Sequence, residues 1–283
     1  MAQLVNLKQR IKAAETIKKI THAMRLVSMS NNLKLRGKKN FLDNYNKEIR
    51  KLWILINNKI NPEKSNFESK KSKNLVIILS SEKGLCGNFN NSLFAYYNNH
   101  KSEDANSDVI VIGKEGITHL KQLEIAPILN FPIFNSANFY NISKELSNFI
   151  INHLAMYKKV IVYSNWSKSF FIQKQKKTLI FPITESKPEN TTNNNLKDIN
   201  DISEYIWPQS PESLTKSLKS ALIYISISEL LFDSLLAEQA ARFVSMDSAT
   251  RNATDLINAM KLEYNKLRQA AITRELTELS GSN

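Results

Sequence analysis

One cysteine, six glycines, seven prolines and four histidines in 283 residues are few, and each scarcity removes a class of protein. A lone thiol, Cys86, excludes an internal disulfide framework. It also leaves too few thiolates for a zinc or iron-sulfur site, and this fits a reducing compartment. So little glycine and proline argues against an all-β protein of many tight turns and against a Gly/Pro-rich disordered chain. His22, His100, His119 and His153 show no HxxxH or His/Cys spacing, so no metal is expected. Apolar runs fall short of the roughly 20 residues that cross a bilayer, and no charged start, apolar stretch and small-residue cleavage site opens the chain. Neither a membrane span nor a secretory signal is expected. No paired carboxylates and no Ser/His/Asp arrangement stand out, so no catalytic residue is expected.

What the chain has in excess is positive charge, and it is local. The formal net charge is +13. Residues 1–40 hold ten Lys and Arg against Glu15 alone, whereas residues 229–283 carry six basic groups and eight acidic ones. The two ends are electrostatically complementary.

Helix breakers are also unevenly placed. Neither Gly nor Pro occurs before Gly37. Leu4, Leu7, Ile11, Ala14, Ile17, Ile20, Met24 and Val27 follow steps of three and four, the spacing of one helix face. The pattern resumes through Phe41, Tyr45, Leu52, Trp53 and Ile56 until Asn61-Pro62, which predicts a first helix of almost 60 residues. After Pro211 the only breaker is Gly281, so Glu212 to Ser280 can form a helix of about 100 Å. Its apolar stripe and many alanines call for a partner helix packed closely along its length. The N-terminal helix, antiparallel, is the candidate.

Between the two helices the texture changes. Asn74–Ser80, Asp108–Ile112 and Lys159–Tyr163 are short β-branched runs that read as buried strands. Stretches of helical length separate them, at 91–99, 115–123 and 139–157, which predicts an α/β domain with a largely parallel sheet. Residues 169–183 read as an added edge strand, and the Asn-rich stretch 186–201 as a mobile loop. The expected fold is therefore α/β plus a long coiled coil: an antiparallel two-helix coiled coil with an inserted, Rossmann-like α/β domain. Its parts are residues 1–60, 73–208 and 211–283.

The strongest loop signal, Ser81-Glu82-Lys83-Gly84-Leu85-Cys86-Gly87, follows the first strand, where open α/β sheets bind ligands. It has the spacing of neither GxGxxG nor GxxxxGK[ST], so a tight strand-to-helix turn is the simpler reading, with Lys83 placed to meet an acidic partner. Two other classes stay open at this point. A nucleotide-binding α/β enzyme would use that loop, and a basic coiled-coil nucleic-acid binder would use the N-terminal stripe. No helix-turn-helix, zinc or RNA-binding module supports the second.

Three segments carry a family resemblance. Leu7-Lys8-Gln9-Arg10-Ile11-Lys12 with Ile17-Lys18-Lys19-Ile20-Thr21-His22-Ala23-Met24-Arg25-Leu26-Val27-Ser28 closely resembles the opening of the gamma subunit of the rotary (F-type) ATP synthase. Lys83 to Asn90 resembles that family's central loop. Residues 238–246 (EQAARFVSM) and 264–273 (YNKLRQAAIT) resemble its C-terminal signature. The sequence departs at His22, where lysine is common, at Asn88-Phe89, at Arg274, and in a short tail after Leu279.

The resemblance implies a central stalk with no catalytic site and no cofactor of its own. One copy would couple ion flow through the membrane c-ring to ATP synthesis or hydrolysis at the beta subunits. The implied partners are three alpha and three beta subunits, epsilon and the ring, with no nucleic acid. By motif, Met24, Lys83, Cys86 and Arg242 would face acidic lever segments of beta. Arg268, Gln269, Thr273 and Glu275 would meet the inner surface of the hexamer, and Tyr205 would lie toward the ring or epsilon. The implied location is peripheral, on the cytoplasmic side of a bacterial inner membrane rather than in an organelle.

Overall fold

The computed structural model describes residues 2–59, 73–104, 106–183 and 211–280. In chain order the elements are α1 (Ala2–Lys59), β1 (Lys73–Leu79), α2 (Phe89–His100), β2 (Ser107–Ile112), α3 (Lys114–Gln122), β3 (Leu129–Phe131), α4 (Phe139–His153), β4 (Tyr157–Ser167), β5 (Gln173–Phe181) and α5 (Pro211–Ser280). A short 3-10 turn, Lys101–Asp104, follows α2. Both long helices form as expected. Gly37 does not interrupt α1, and α5 starts at Pro211, where a missing N–H leaves no helical bond unmade. Tyr205, the Asn-rich stretch and the predicted closure at Asn61-Pro62 lie outside the described residues.

The chain forms two compact units. The first comprises Met1–Asn32, Leu85–Gly87 and Gln239–Asn283. Within it α1 and α5 run antiparallel: Glu15 pairs with Lys261 at 2.8 Å, Thr21 with Thr250 at 2.9 Å and Arg25 with Asp247 at 2.6 Å. The seam has heptad spacing on both sides. Leu7, Ala14, Thr21 and Ser28 are buried at intervals of seven, facing a helix that buries Met246, Thr250, Ala253, Ile257 and Met260 at alternating steps of four and three.

The expected apolar stripe of α1 is therefore only partly the buried one. Leu7 and Ala14 are covered, but Ile17, Ile20 and Val27 are 55%, 54% and 60% exposed, while Thr21 and Ser28 lie in the seam. Two helices cover only a narrow strip of each other, and small polar residues there allow close approach while their hydroxyls bond locally. Ser28 Oγ donates to the Met24 carbonyl at 2.9 Å, and the Thr250 hydroxyl lies 2.7 Å from the Met246 carbonyl.

The second unit comprises Leu33–Gly84 and Asn88–Glu238. Its five strands stand in the order β3-β2-β1-β4-β5, parallel except for β5, which pairs antiparallel with β4 at the edge. The central strands are β-branched because both faces are covered. Leu75, Ile77, Leu79, Ile110 and Val162 pack with α4 and with Ile223–Leu236 of α5, while Val76, Ile78, Val109 and Tyr163 pack with α2 and α3. Leu35 of α1 belongs to the first of these cores. Within this unit the Lys39–Asp233 and Arg50–Glu229 pairs, at 2.6 and 3.2 Å, join α1 to α5 in antiparallel order. An eighteen-residue window of α5 reaches a mean hydropathy of 1.5, enough by composition to cross a membrane. Because 61% of it is buried inside the protein, its apolar character is that of a core helix.

Candidate partner-binding site

The turn after β1 is built by side chains that its local sequence does not reveal. Ser80 is fully buried. Its Oγ donates to the Ile112 carbonyl at 2.7 Å and accepts from the Gly116 amide at 2.8 Å, fastening the end of β1 to β2 and to the start of α3. Asn90, one residue into α2, closes the turn: its Oδ1 accepts from the Ser81 amide at 3.1 Å and its Nδ2 donates to Ser81 Oγ at 2.7 Å. Ser81 Oγ in turn donates to the Lys83 carbonyl at 2.9 Å. Glu82 turns inward, accepting from the Phe134 amide at 3.2 Å and from Asn135 Nδ2 at 3.3 Å.

The result is a rigid turn that holds the Lys83 side chain outward, 80% exposed, with its amine 4.0 Å from Glu82 Oε1. The Ser81 amide, which a phosphate cradle after β1 would aim at its ligand, is taken by Asn90. This weighs for a structural turn over a nucleotide site. The following residues belong to the first unit. Leu85 takes a positive φ of 63° and is exposed, Cys86 is buried, and Gly87 has φ of 60°. A Cβ on Gly87 would stand 3.6 Å from the Ser245 Cβ, so the loop lies closely on α5 there.

The remaining candidates fall into three environments. Met24 is half-buried on α1. Arg242, like Cys86, is covered, at 8% exposed. Arg268, Gln269, Thr273 and Glu275 are exposed near the end of α5. Arg268 and Glu275, seven residues apart, share one face, and Gln269 and Thr273 share the next, with Thr273 Oγ1 donating to the Gln269 carbonyl at 3.0 Å. Sequence reading grouped Lys83 with Cys86 and Arg242. The structure separates them by exposure: Lys83 presents a charge, whereas Cys86 and Arg242 are interior. Among the described residues no group of three His, Cys, Asp or Glu side chains is placed to hold a metal ion.

Two of the basic residues in the first forty, Arg25 and Lys39, are matched to acids of α5. Lys8, Lys12 and Lys19 are exposed, beside the exposed Ile17, Ile20, Leu26 and Val27. A two-helix seam flanked on the outside by apolar and basic residues has the composition of a surface that another protein covers.

Comparison with known proteins agrees with this construction. A family model described as ATP synthase matches residues 3–283. The chain is 32% identical over 292 residues to the ATP synthase gamma chain of Rickettsia typhi, covering 99% of this chain and 98% of that one. It is 34% identical over 295 residues to the gamma chain of Clostridium beijerinckii, covering 99% and 97%. Among solved structures, a chain of the Euglena gracilis mitochondrial ATP synthase rotor superposes with a TM-score of 0.62 at 12% identity, covering 96% of this chain and 99% of that one. A chain of the Tetrahymena thermophila mitochondrial ATP synthase central stalk and c-ring gives 0.57 at 18% identity, covering 81% and 99%. The fold is thus one found in rotor and central-stalk chains. By its full-length match, the chain belongs to the ATP synthase gamma chain family.

Proposed function

We propose that this chain is the central rotor shaft of an ATP synthase, coupling ion flow through a membrane ring to ATP synthesis or hydrolysis at the beta subunits of an alpha-beta hexamer. The observation that carries the reading is the match to gamma chains along 99% of the sequence. The exposed apolar and basic flanks of the α1–α5 seam support it, since they call for a surrounding protein surface.

The chain performs no bond chemistry itself. One charge crossing 100 mV supplies roughly 2.3 kcal/mol, so several translocations must be pooled for each ATP. A turning shaft pools them. As it turns, its unlike faces favour different conformations of the three catalytic sites, which is coupling by differential contact with alternative states. Lys83 meets the acidic levers of beta directly, with Met24 beside the seam. Cys86 and Arg242 face the same levers from more covered positions. Arg268, Gln269, Thr273 and Glu275 meet the inner surface of the hexamer. In this reading the inserted domain, residues 73–208, stands toward the c-ring and epsilon, with Tyr205 on that side. The complex holds one copy and lies on the cytoplasmic side of a bacterial inner membrane.

The test is purification of the tagged full-length chain from its native membranes, with mass spectrometry and an ATPase assay of the eluate. Co-purification of alpha, beta and epsilon subunits with ATPase activity is expected. A chain that emerges without them, saturably binding ATP or NAD or retaining nucleic acid, would reject the reading.

A further inference from the structure

The second unit carries a feature the proposed function leaves unused. No Asp or Glu occurs from residue 146 to residue 184, while Lys158, Lys159, Lys168, Lys174, Lys176 and Lys177 do. Most of this charge sits on the β4–β5 hairpin, which outruns the sheet. The pairing of β4 with β1 ends at Tyr163, opposite Ile78, but β4 and β5 stay paired as far as Ser167 and Gln173. Of the four further residues of β4, Ser164 and Asn165 are buried, Asn165 Nδ2 donating to the Phe89 carbonyl at 3.0 Å, and Trp166 and Ser167 carry the hairpin roughly 7 Å beyond them.

Its tip is preformed. The Lys168 and Ser169 amides donate to the Ile172 carbonyl at 3.0 and 3.3 Å, and Gln173 Nε2 donates to the Phe170 carbonyl at 3.0 Å. Phe170 packs edge-on against Phe171 with centroids 5.2 Å apart, and the Arg36 guanidinium lies 5.8 Å from the Phe170 ring. Phe171 and Ile172 are left 69% and 51% exposed at this tip. Trp166, 37% exposed, stands directly across from Lys174 on one face, and Lys176 lies on the same face. Lys168, Lys174 and Lys176 are exposed, and among the described residues no ion pair involves them. Lysines on an edge strand guard it against pairing with other strands. That role does not explain two large apolar side chains held outward at the tip.

We infer that the projecting hairpin is a docking element for an acidic protein segment, with Lys168, Lys174 and Lys176 supplying charge and Trp166, Phe171 and Ile172 supplying the apolar anchor. Strand direction says where that segment lies. β4 runs parallel to β1, so the hairpin projects from the same end of the sheet at which β1 delivers Ser80–Gly84 and the exposed Lys83. An acidic partner that meets Lys83 therefore lies on the side toward which the hairpin points. The inference rests on the rotor reading, under which the alpha-beta hexamer supplies the segment. Electrostatic attraction of this kind speeds encounter and weakens with salt, which suits a contact made and broken repeatedly.

The experiment uses the whole purified complex with a photoreactive phenylalanine analogue in place of Phe171. An adduct to an Asp/Glu-rich segment of alpha or beta is expected. Its yield should fall about fivefold or more between low and high salt, and by a similar factor on combining Lys168→Glu, Lys174→Glu and Lys176→Glu. If the triple variant does not assemble, the salt series on the otherwise unchanged complex decides. An active complex that gives adducts only to lipid or epsilon, or none, overturns the hairpin inference and leaves the rotor reading standing. A wild-type chain that never assembles with alpha and beta overturns both.

Discussion

Arg25 and Asp247 meet at 2.6 Å across 222 residues, guanidinium to carboxylate, and Arg251 takes the second carboxylate oxygen at the same distance. Asp247 therefore joins α1 to α5 while bridging a turn of α5. Its carboxyl is held below the ordinary aspartate value, chiefly by the hydrogen bond from Arg25, against an opposing effect of burial and with further help from Arg251. A carboxyl depressed in the folded state contributes stability that is present above its unfolded value of about 3.9 and is lost as the pH falls through the folded value. Asp247→Asn is expected to lower the thermal midpoint at pH 7, and the gap from wild type should close as the pH falls from 5 towards 2. A gap independent of pH over that range would reject the ion-pair account.

Two glycines should respond oppositely to the same substitution. Gly37 lies inside α1, exposed, with nothing within 4 Å of an added Cβ. Gly37→Ala removes only unfolded-state freedom and should stabilise the chain by about 0.5–1 kcal/mol. Gly113 has a φ of 93°, and a Cβ there would stand 2.6 Å from both Ser80 Oγ and the Ser81 carbonyl. Gly113→Ala should cost at least about 1–3 kcal/mol in backbone strain alone, with further loss from displacing Ser80. Denaturant midpoints of the two variants, moving in opposite directions, check both.

The long helices were legible because helix breakers are few, Gly37 alone falling inside α1 and none inside α5 after Pro211, and β1, β2 and β4 because β-branched runs mark strands buried on both faces. β3 was not. Leu129–Phe131 is three residues, too short for alternation to show, and it exists because β2 supplies a partner edge. The seam was half legible: periodicity found Leu7 and Ala14, but an apolar count cannot foresee that Thr21 and Ser28 are buried while Ile17 and Ile20 are exposed. That choice depends on how near the second helix comes. For the turn after β1, the sequence located the loop and Lys83. The groups that shape it, Asn90 for Ser81 and the Phe134 amide for Glu82, lie 9 and 52 residues away from their partners.

Asn90 gives that turn a specific test. Asn90→Ala removes the acceptor for the Ser81 amide and the donor to Ser81 Oγ in a buried setting. A cost of about 1–3 kcal/mol is expected, most of it from the orphaned amide. Hydrogen exchange at Ser81 reports the loss directly. Exchange as slow as in wild type would mean that another acceptor holds the turn.

Lys83 and Arg242 carry the same charge, but their exposure makes them different experiments. Lys83 is 80% exposed at the tip of the turn, so Lys83→Glu reverses a surface charge without disturbing packing, and its thermal midpoint should stay close to wild type. If Lys83 meets acidic levers, ATP synthesis by the assembled complex should fall, by about fivefold for a contact of roughly 1 kcal/mol, and the defect should shrink as salt screens both charges. Arg242 is 8% exposed, so Arg242→Glu puts an acid in place of a covered cation and should cost about 3–5 kcal/mol of stability. A loss of synthesis in that variant follows from a damaged α5 whether or not Arg242 touches a lever. Lys83→Glu is accordingly the informative variant: full synthesis at low salt, in a complex shown to contain it, would remove Lys83 from the coupling surface.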